Sequence, residues 1–328
     1  MFNYFLRRFG QSLLVLIAMS CLVFLGVFAI GNPIDLLVNP QADEIERIRA
    51  TAALGLDRPL YEQYLTFLKG AASGDLGRSF VFGVPALELI LSKMPATIEL
   101  AFFAMVIAVA IGIPLGLVAG LRPDSLMGRG IMAFSIVGFS LPTFWVGLVL
   151  IMFFAVQLGW LPSNGRGETT LLFGMPVSFL SWDGLSHLLL PALNLALFKL
   201  SLLIRLTRAQ VREAVLQDYV KFARAKGLSH GRVIGVHILK NIMIPIVTVI
   251  GLEFGSVIAF AIVTESIFAW PGTGKLLIDS INQLDRPVIV AYLMVIVTLF
   301  IAINFMVDLV YSLLDPRVRL GQSSGGGR

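Results

Sequence analysis

Four charged residues lie within or at the ends of the strongly apolar segments of this 328-residue chain. They are Lys199, Glu253, Glu265 and Asp308. A charge at the centre of a membrane helix costs ~2.5–3.5 kcal/mol on insertion scales, so such a residue usually faces a bundle interior or a cavity. Lys199 and Glu253 are therefore candidates either for a polar pathway or for an ion pair that fixes helix register. Glu265 and Asp308 lie nearer to the predicted span ends, where a solvated side chain is the simpler interpretation.

The segment WPGTGKLL resembles a phosphate-binding loop in its residue types but not in their spacing. That motif requires a glycine, four residues, and then Gly-Lys followed by serine or threonine. Ala269 stands where the first glycine belongs, and Leu276 follows Lys275. The sequence therefore predicts no nucleotide site in this chain.

Catalytic and metal-binding patterns are equally weak. His230 and His237 are two helical turns apart, or about 10.5 Å, which is too far for one metal ion. We expect His187 on the opposite face of the membrane. The single cysteine, Cys21, excludes a disulfide framework and a cysteine-based metal site. Because neither a Ser-His-Asp pattern nor a carboxylate pair is visible, we expect no enzyme, no cofactor and no metal in this chain.

The composition is that of a membrane protein. Hydrophobic residues make up 57% of the chain, charged residues only 14%, and the mean hydropathy is +0.88, whereas soluble domains carry roughly a quarter charged residues. Apolar segments long enough to cross a ~30 Å hydrocarbon core must be helical, because lipid offers no partners to free backbone groups. The sequence predicts an all-α membrane protein with six spans, at residues 9–30, 98–121, 131–158, 185–206, 242–268 and 288–314.

The distribution of Lys and Arg predicts the orientation. Residues 205–245 alone hold eight of the chain's 25 Lys and Arg residues, and the short loops on the opposite side carry only Arg166, Lys275 and Arg286. Basic residues in short loops mark the cytoplasmic side. We therefore predict that both termini of this multi-pass membrane protein are cytoplasmic.

The predicted organisation has four parts. Residues 1–30 form an N-terminal transmembrane helix and residues 31–95 a periplasmic loop region. Residues 96–315 form a core of five spans that contains a cytoplasmic loop at 206–241. Residues 316–328, which end in GQSSGGGR, are a flexible tail by composition. Glycine and proline within the spans suit closely packed and kinked helices.

The loop between the fourth and fifth spans is predicted to form a helix–turn–helix projection. Residues 218–226 are good helix formers, Gly227 suits the left-handed position that ends a helix, and Ser229 suits the cap of the next one. We expect this projection to expose apolar side chains among basic ones, namely Tyr219, Val220, Phe222 and Leu228. Attraction to anionic lipid would explain the charge, but not the glycine break or the apolar residues.

Four stretches of this chain resemble one family. Residues 218–245, DYVKFARAKGLSHGRVIGVHILKNIMIP, are similar to the EAA loop of bacterial ABC-importer permeases of the dipeptide/oligopeptide/nickel subfamily. The order and spacing of GDLGRSF (74–80), LPTFWVG (141–147) and ESIFAWPGTGKLL (265–277) match as well, and the resemblance extends through Leu320. Lys221 and Lys240 depart from the general EAA pattern, where glutamate and proline would stand.

The resemblance implies a type I importer fold, a multi-pass location in the bacterial inner membrane, and a subunit that forms half of a translocation pore. It implies partners: a second homologous permease, two ABC ATPases that carry ATP and Mg, and an external substrate-binding protein. It also implies a coupling helix seated on the ATPase, made of Asp218, Tyr219, Val220, Phe222, Ala223, Arg224, Ala225, Lys226, Gly227, Leu228 and Ser229.

The function predicted from this resemblance is ATP-driven import, most plainly of dipeptides or oligopeptides. Nickel, glutathione or another small solute would suit the same architecture. A different class, the ion-coupled secondary transporter with Glu253 or Lys199 as relay, remains the competing hypothesis. Such transporters often contain internal repeats, and no clear repeat relates the two halves of this sequence.

Overall fold

A computed structural model describes residues 2–28, 43–53 and 56–314, with side chains for 10–26, 43–49, 51–52 and 56–307. The predicted tail at 316–328 and part of the predicted periplasmic loop lie outside the described residues. The described chain is almost entirely helical. In order, its elements are α1 (Phe2–Phe28), α2 (Glu44–Ala53), α3 (Leu60–Ala72), α4 (Ala86–Leu121), α5 (Leu126–Ser140), α6 (Thr143–Gln157), β1 (Thr170–Leu172), β2 (Met175–Val177), α7 (Trp182–Val215), α8 (Asp218–Ala225), α9 (His230–Ile267), α10 (Thr273–Asn282) and α11 (Arg286–Leu314).

Four helices are long and apolar enough to cross a membrane: α4, α7, α9 and α11, the last over Arg286–Val307. They cover the second, fourth, fifth and sixth predicted spans and confirm the all-α membrane architecture. The first predicted span coincides with α1, whose apolar part with described side chains is Gly10–Gly26. The orientation of the termini stays a prediction.

The third predicted span, at 131–158, is not a single straight helix. Its residues form α5 and α6, whose axes are bent by 106°. Pro142 stands just before α6, and Leu141 adopts the extended backbone that a following proline favours. The 15 residues of α5 rise only about 22 Å, less than the ~30 Å core. The pair is therefore a broken span or a re-entrant segment, and only if it is one span does the count of spans rise to five among the described residues.

The chain divides into two compact units. The first comprises Met1–Thr97 and Pro271–Ile301. Within it, α3 packs on α1 through Tyr64, whose hydroxyl lies 2.9 Å from Ser20 Oγ and whose ring lies 5.4 Å from that of Phe24.

A buried carboxylate orders a loop in the same unit. Asp285, just before α11, is fully buried and accepts hydrogen bonds from Ser79 Oγ and from the backbone N–H groups of Phe80 (3.0 Å) and Val81 (3.4 Å). Ser79 Oγ in turn accepts from the Phe82 N–H at 2.9 Å. Asp285 therefore fixes the backbone at the end of the GDLGRSF stretch.

The second unit comprises Ile98–Trp270 and Ala302–Arg328. Here α7 packs against α5, α6 and α9, and glycines let α4 approach α7 closely. A Cβ on Gly116 would lie 2.6 Å from the Thr207 Cβ and 2.8 Å from the Ile204 carbonyl oxygen. Gly112 and Gly120, one turn away on either side, face α7 in the same way. Small residues at this spacing serve close helix packing, as the glycine-rich span predicted.

Candidate functional site

The projection between α7 and α9 has the predicted form. After α7, Gln217 precedes α8, whose eight residues Asp218–Ala225 end at Lys226. Gly227 follows with φ of 73°, the left-handed conformation that glycine tolerates best. Ser229 occupies the cap position of α9, but its side chain donates or accepts no capping hydrogen bond in the described residues. After its first three residues, His230–Arg232, α9 continues as a π-helical stretch at Val233–Leu239, a feature that is frequent at functional sites.

One face of α8 is buried, and this corrects a prediction. Val220 was expected to be exposed, but it is 0% exposed and Ala223, one turn later, is buried as well. Both belong to a hydrophobic cluster with residues of α7 and α9, and Leu228 packs against its edge, half-buried. The cluster is formed by Val211, Ala214, Val220, Ala223, Val233, Ile238, Ile242 and Ile246. The sequence stretch is too short and too polar for its periodicity to reveal which face packs inward.

The other face of α8 is exposed. Phe222 is 61% exposed and Tyr219 39%, and the Lys226 Nζ lies 4.5 Å from the centre of the Phe222 ring. Of the eleven predicted coupling residues, the exposed ones are Asp218, Tyr219, Phe222, Arg224, Ala225, Lys226, Gly227 and Ser229. This face therefore presents aromatic rings among positive charges, while the opposite face joins α8 to the helices on either side.

Lys199 of α7 and Glu253 of α9 form an ion pair, one of the two alternatives that the sequence offered for these residues. Lys199 Nζ lies 2.5 Å from Glu253 Oε2 and 2.8 Å from Ser256 Oγ. Ser256 Oγ also lies 2.8 Å from Glu253 Oε2, which closes a polar triad between the two helices. The Lys199 side chain is 10% exposed and that of Glu253 29%.

The two other charged residues behave differently from the prediction. Glu265 was expected to be solvated near a span end, but it is fully buried. Its carbonyl accepts a hydrogen bond from the Trp270 N–H at 2.8 Å, in the turn that follows α9. Asp308 lies in α11, at a position whose side chain is outside the described residues.

A second buried ion pair was missed by the sequence reasoning. Glu99, near the start of the apolar part of α4, pairs with Arg166 at 2.5 Å. Its other oxygen accepts from Ser178 N (2.7 Å), Ser178 Oγ (2.9 Å) and Phe179 N (3.1 Å). A lone glutamate at the edge of an apolar segment is itself a signal of function or pairing. The sequence gives no hint, however, that its partner is the one arginine of the loop before β1.

Comparisons with known proteins agree with this architecture. Residues 112–320 match the family described as binding-protein-dependent transport system inner membrane component, and residues 1–101 match the family of its N-terminal part. The chain is 40% identical over 335 residues to the di/tripeptide transport system permease protein DppB of Pseudomonas aeruginosa (strain UCBPP-PA14), covering 97% of this chain and 99% of that protein. It is 38% identical over 322 residues to the glutathione transport system permease protein GsiC of Escherichia coli O6:H1, covering 97% and 99%.

A solved structure supports the fold. A chain of the MetNI methionine ABC transporter in inward-facing conformations superimposes with a TM-score of 0.51 at 15% sequence identity, covering 69% of this chain and 96% of that one. At this identity the likeness concerns the fold alone, and it confirms the predicted type I importer permease fold. With the profile match over most of its length and relatives matched end to end, the chain belongs to the binding-protein-dependent transport system inner membrane component family.

Proposed function

We propose that this chain is a permease subunit of an ATP-driven importer of short peptides and forms half of its translocation pore. Full-length similarity to a di/tripeptide permease and to a glutathione permease supports a peptide substrate, since glutathione is itself a modified tripeptide. A second permease of similar fold completes the pore, and two ATPase subunits carry the nucleotide and its magnesium ion. A binding protein delivers the peptide from the other side of the membrane.

The two-faced character of α8 is the observation that carries the coupling part of this proposal. Its exposed face, with Phe222 and Tyr219, docks into the ATPase subunit. Its buried face, with Val220 and Ala223, is packed against α7 and α9 through one hydrophobic cluster. Because a packed cluster of this kind transmits displacement rather than absorbing it, a movement of the ATPase surface shifts the cytoplasmic ends of two spans.

The polar triad lies on the pathway side of the spans in this proposal. Glu253 is 29% exposed in the isolated chain although α9 spans the membrane. A carboxylate at that depth is too costly to face lipid, so the exposed part of its side chain faces the pore or the second permease. Lys199 and Glu253 then offer a positive and a negative group to a zwitterionic peptide.

Gly227 provides the sharpest test of coupling. A Cβ at this position would meet no atom within 4 Å, so a substitution affects only the backbone conformation. Gly227→Val, a β-branched residue forced to positive φ, should abolish stimulated ATP hydrolysis and uptake by the reconstituted complex. Gly227→Asn should retain much of both activities, because asparagine tolerates this conformation.

Gly231→Val is the matched control. Gly231 is also free of neighbours within 4 Å and lies in α9 without positive φ, so this variant should behave almost like the wild type. Normal uptake and normal stimulation in Gly227→Val would contradict the coupling role. Uptake by the chain alone in liposomes, driven by a proton or sodium gradient, would instead favour the secondary-transporter hypothesis.

A further inference from the structure

We propose that the cavity between the α4–α5 connection and the α7–α8–α9 projection binds the head group of an anionic phospholipid. The cavity has a volume of about 790 Å³ and lies entirely within the second unit. Three arginines and one histidine are among its lining residues: Arg122, Arg212, Arg224 and His230. Of the α8 residues, Arg224 lines the cavity, whereas the exposed rings of Tyr219 and Phe222 do not.

The charge of this cavity is uncompensated. No aspartate or glutamate lines it, and within the described ranges the side chains of Arg122, Arg212 and Arg224 form no hydrogen bond or ion pair. These arginines come from three different elements that fold together, so their convergence is not a run of basic residues along one helix. Guanidinium groups match the geometry of phosphate oxygens in paired hydrogen bonds, which makes a phosphate group the anion that fits best.

The rest of the lining is apolar, and this favours a lipid over a free phosphate ion. Val118 and Leu121 belong to the last turn of α4, a membrane-spanning helix, and Met127 to the first turn of α5. Two of the lining residues, Met127 and Leu216, are 55% and 72% exposed. An inorganic ion would leave these side chains uncovered, whereas the glycerol and upper acyl carbons of a phospholipid would cover them.

The position of the cavity agrees with the membrane surface. It opens where the apolar segment of α4 ends, on the side that the distribution of Lys and Arg predicts to be cytoplasmic. Basic pockets between spans on that side are suited to anionic head groups, and each basic residue near such a surface contributes ~1 kcal/mol. Because Arg122 lies between α4 and α5 and Arg224 on α8, a bound head group would tie the coupling projection to the α4–α5 connection.

The test measures lipid binding by the complete, purified transporter. After exchange into phosphatidylcholine, phosphatidylglycerol is titrated and bound lipid is counted by native mass spectrometry. The double variant Arg122→Gln/Arg212→Gln should weaken the highest-affinity phosphatidylglycerol site on the order of tenfold or more. The control Arg129→Gln/Arg232→Gln removes the same charge from exposed positions outside the cavity and should bind like the wild type. The conservative variant Arg122→Lys/Arg212→Lys should retain most of the affinity.

Three outcomes would overturn the proposal. The first is equal phosphatidylglycerol binding by the double variant and the control. The second is displacement of phosphatidylglycerol by inorganic phosphate at equal concentration, which would make the cavity a site for a free anion. The third is loss of the ATPase subunits from the double variant with lipid binding unchanged, which would make the surface a protein-docking site.

Discussion

Glu99 and Arg166 are 67 residues apart in sequence and form a buried ion pair, with the Arg166 side chain 11% exposed and that of Glu99 4%. Arg166 uses Nε and Nη2 on the same carboxylate oxygen, while Nη2 also donates to the Pro176 carbonyl at 2.7 Å. The other carboxylate oxygen holds the N–H groups of Ser178 and Phe179. One carboxylate of α4 therefore orders both the loop before β1 and the segment that leads to α7.

Removing one partner of this pair should destabilise the second unit strongly. Glu99→Gln leaves a buried guanidinium without its counter-charge, and Arg166→Met does the reverse, each at a cost of about 3–5 kcal/mol. Both variants should lower the Tm of the purified complex. The double variant should be less destabilised than the sum of the two, because neither charge is then left alone.

Lys221→Gln is a suitable control for this cycle. Lys221 and Asp218 form an ion pair that is largely exposed, with side-chain exposures of 65% and 98%, and such pairs contribute little to stability. If the destabilisation of the double variant equals the sum of the Glu99→Gln and Arg166→Met effects, the carboxylate stabilises the fold only through the hydrogen bonds it accepts from the Ser178 and Phe179 N–H groups.

Phe222 and Val220 should respond in opposite ways to truncation. Phe222→Ala removes an exposed ring, so the permease should remain stable while its affinity for the ATPase subunit and the stimulated hydrolysis fall. Val220→Ala removes buried methyl groups and should cost on the order of 1–3 kcal/mol of stability. Pull-down of the ATPase together with thermal unfolding separates the two effects. A Phe222→Ala complex of wild-type affinity and activity would exclude this face as the docking surface.

Sequence reasoning reached the span positions and the outline of the projection because both rest on local signals. Long apolar runs must be helical in lipid, and Gly227 has a backbone conformation that its type predicts. It failed where the answer depends on tertiary packing. The inward orientation of Val220 depends on α7 and α9, and the partner of Glu99 depends on how a distant loop folds back.

The broken third span shows a further limit. The sequence contains Pro142, but hydropathy is averaged over a window that includes this proline and therefore predicts a single apolar segment. A proline in a membrane helix can produce a modest kink or a complete break, depending on whether neighbours satisfy the freed backbone groups. Here Leu141 turns to extended backbone and the axes part by 106°, an outcome that the residue types do not determine.

Single and double variants of Lys199 and Glu253 should show whether this ion pair fixes helix register or contacts the transported peptide. Lys199→Met and Glu253→Gln each leave an unpaired charge within the membrane and should destabilise the complex. The double variant Lys199→Met/Glu253→Gln removes both charges, so assembly and Tm should recover. If the pair contacts the peptide, uptake should stay low in this double variant although ATPase stimulation returns. If uptake recovers together with stability, the pair fixes helix register and does not contact the peptide.

Close packing of α4 on α7 should make Gly116 intolerant of any side chain. Gly116→Val would place its Cβ 2.8 Å from the Ile204 carbonyl oxygen, a backbone atom that cannot move aside without shifting α7. Overpacking of this kind costs about 1–3 kcal/mol, and the shift of α7 should also lower stimulated ATP hydrolysis. Gly130→Val is the control, because a Cβ on Gly130 of α5 would have no neighbour within 4 Å.

Asp285 should control the order of the loop at the end of the GDLGRSF stretch. Asp285→Asn replaces one of the two carboxylate oxygens by an amide nitrogen, which cannot accept a hydrogen bond. Ser79 Oγ and the Phe80 N–H donate to different oxygens of Asp285, so the variant loses one of these two hydrogen bonds. Amide hydrogen exchange at Phe80, Val81 and Phe82 should then accelerate by at least tenfold, since each depends on this carboxylate directly or through Ser79. Exchange in the middle of α3 serves as the internal reference and should not change. Uniform acceleration in both places would indicate general destabilisation, and unchanged exchange at Phe80 would mean that the loop is held by its own turn, in which the Ser79 N–H donates to the Val84 carbonyl at 2.9 Å.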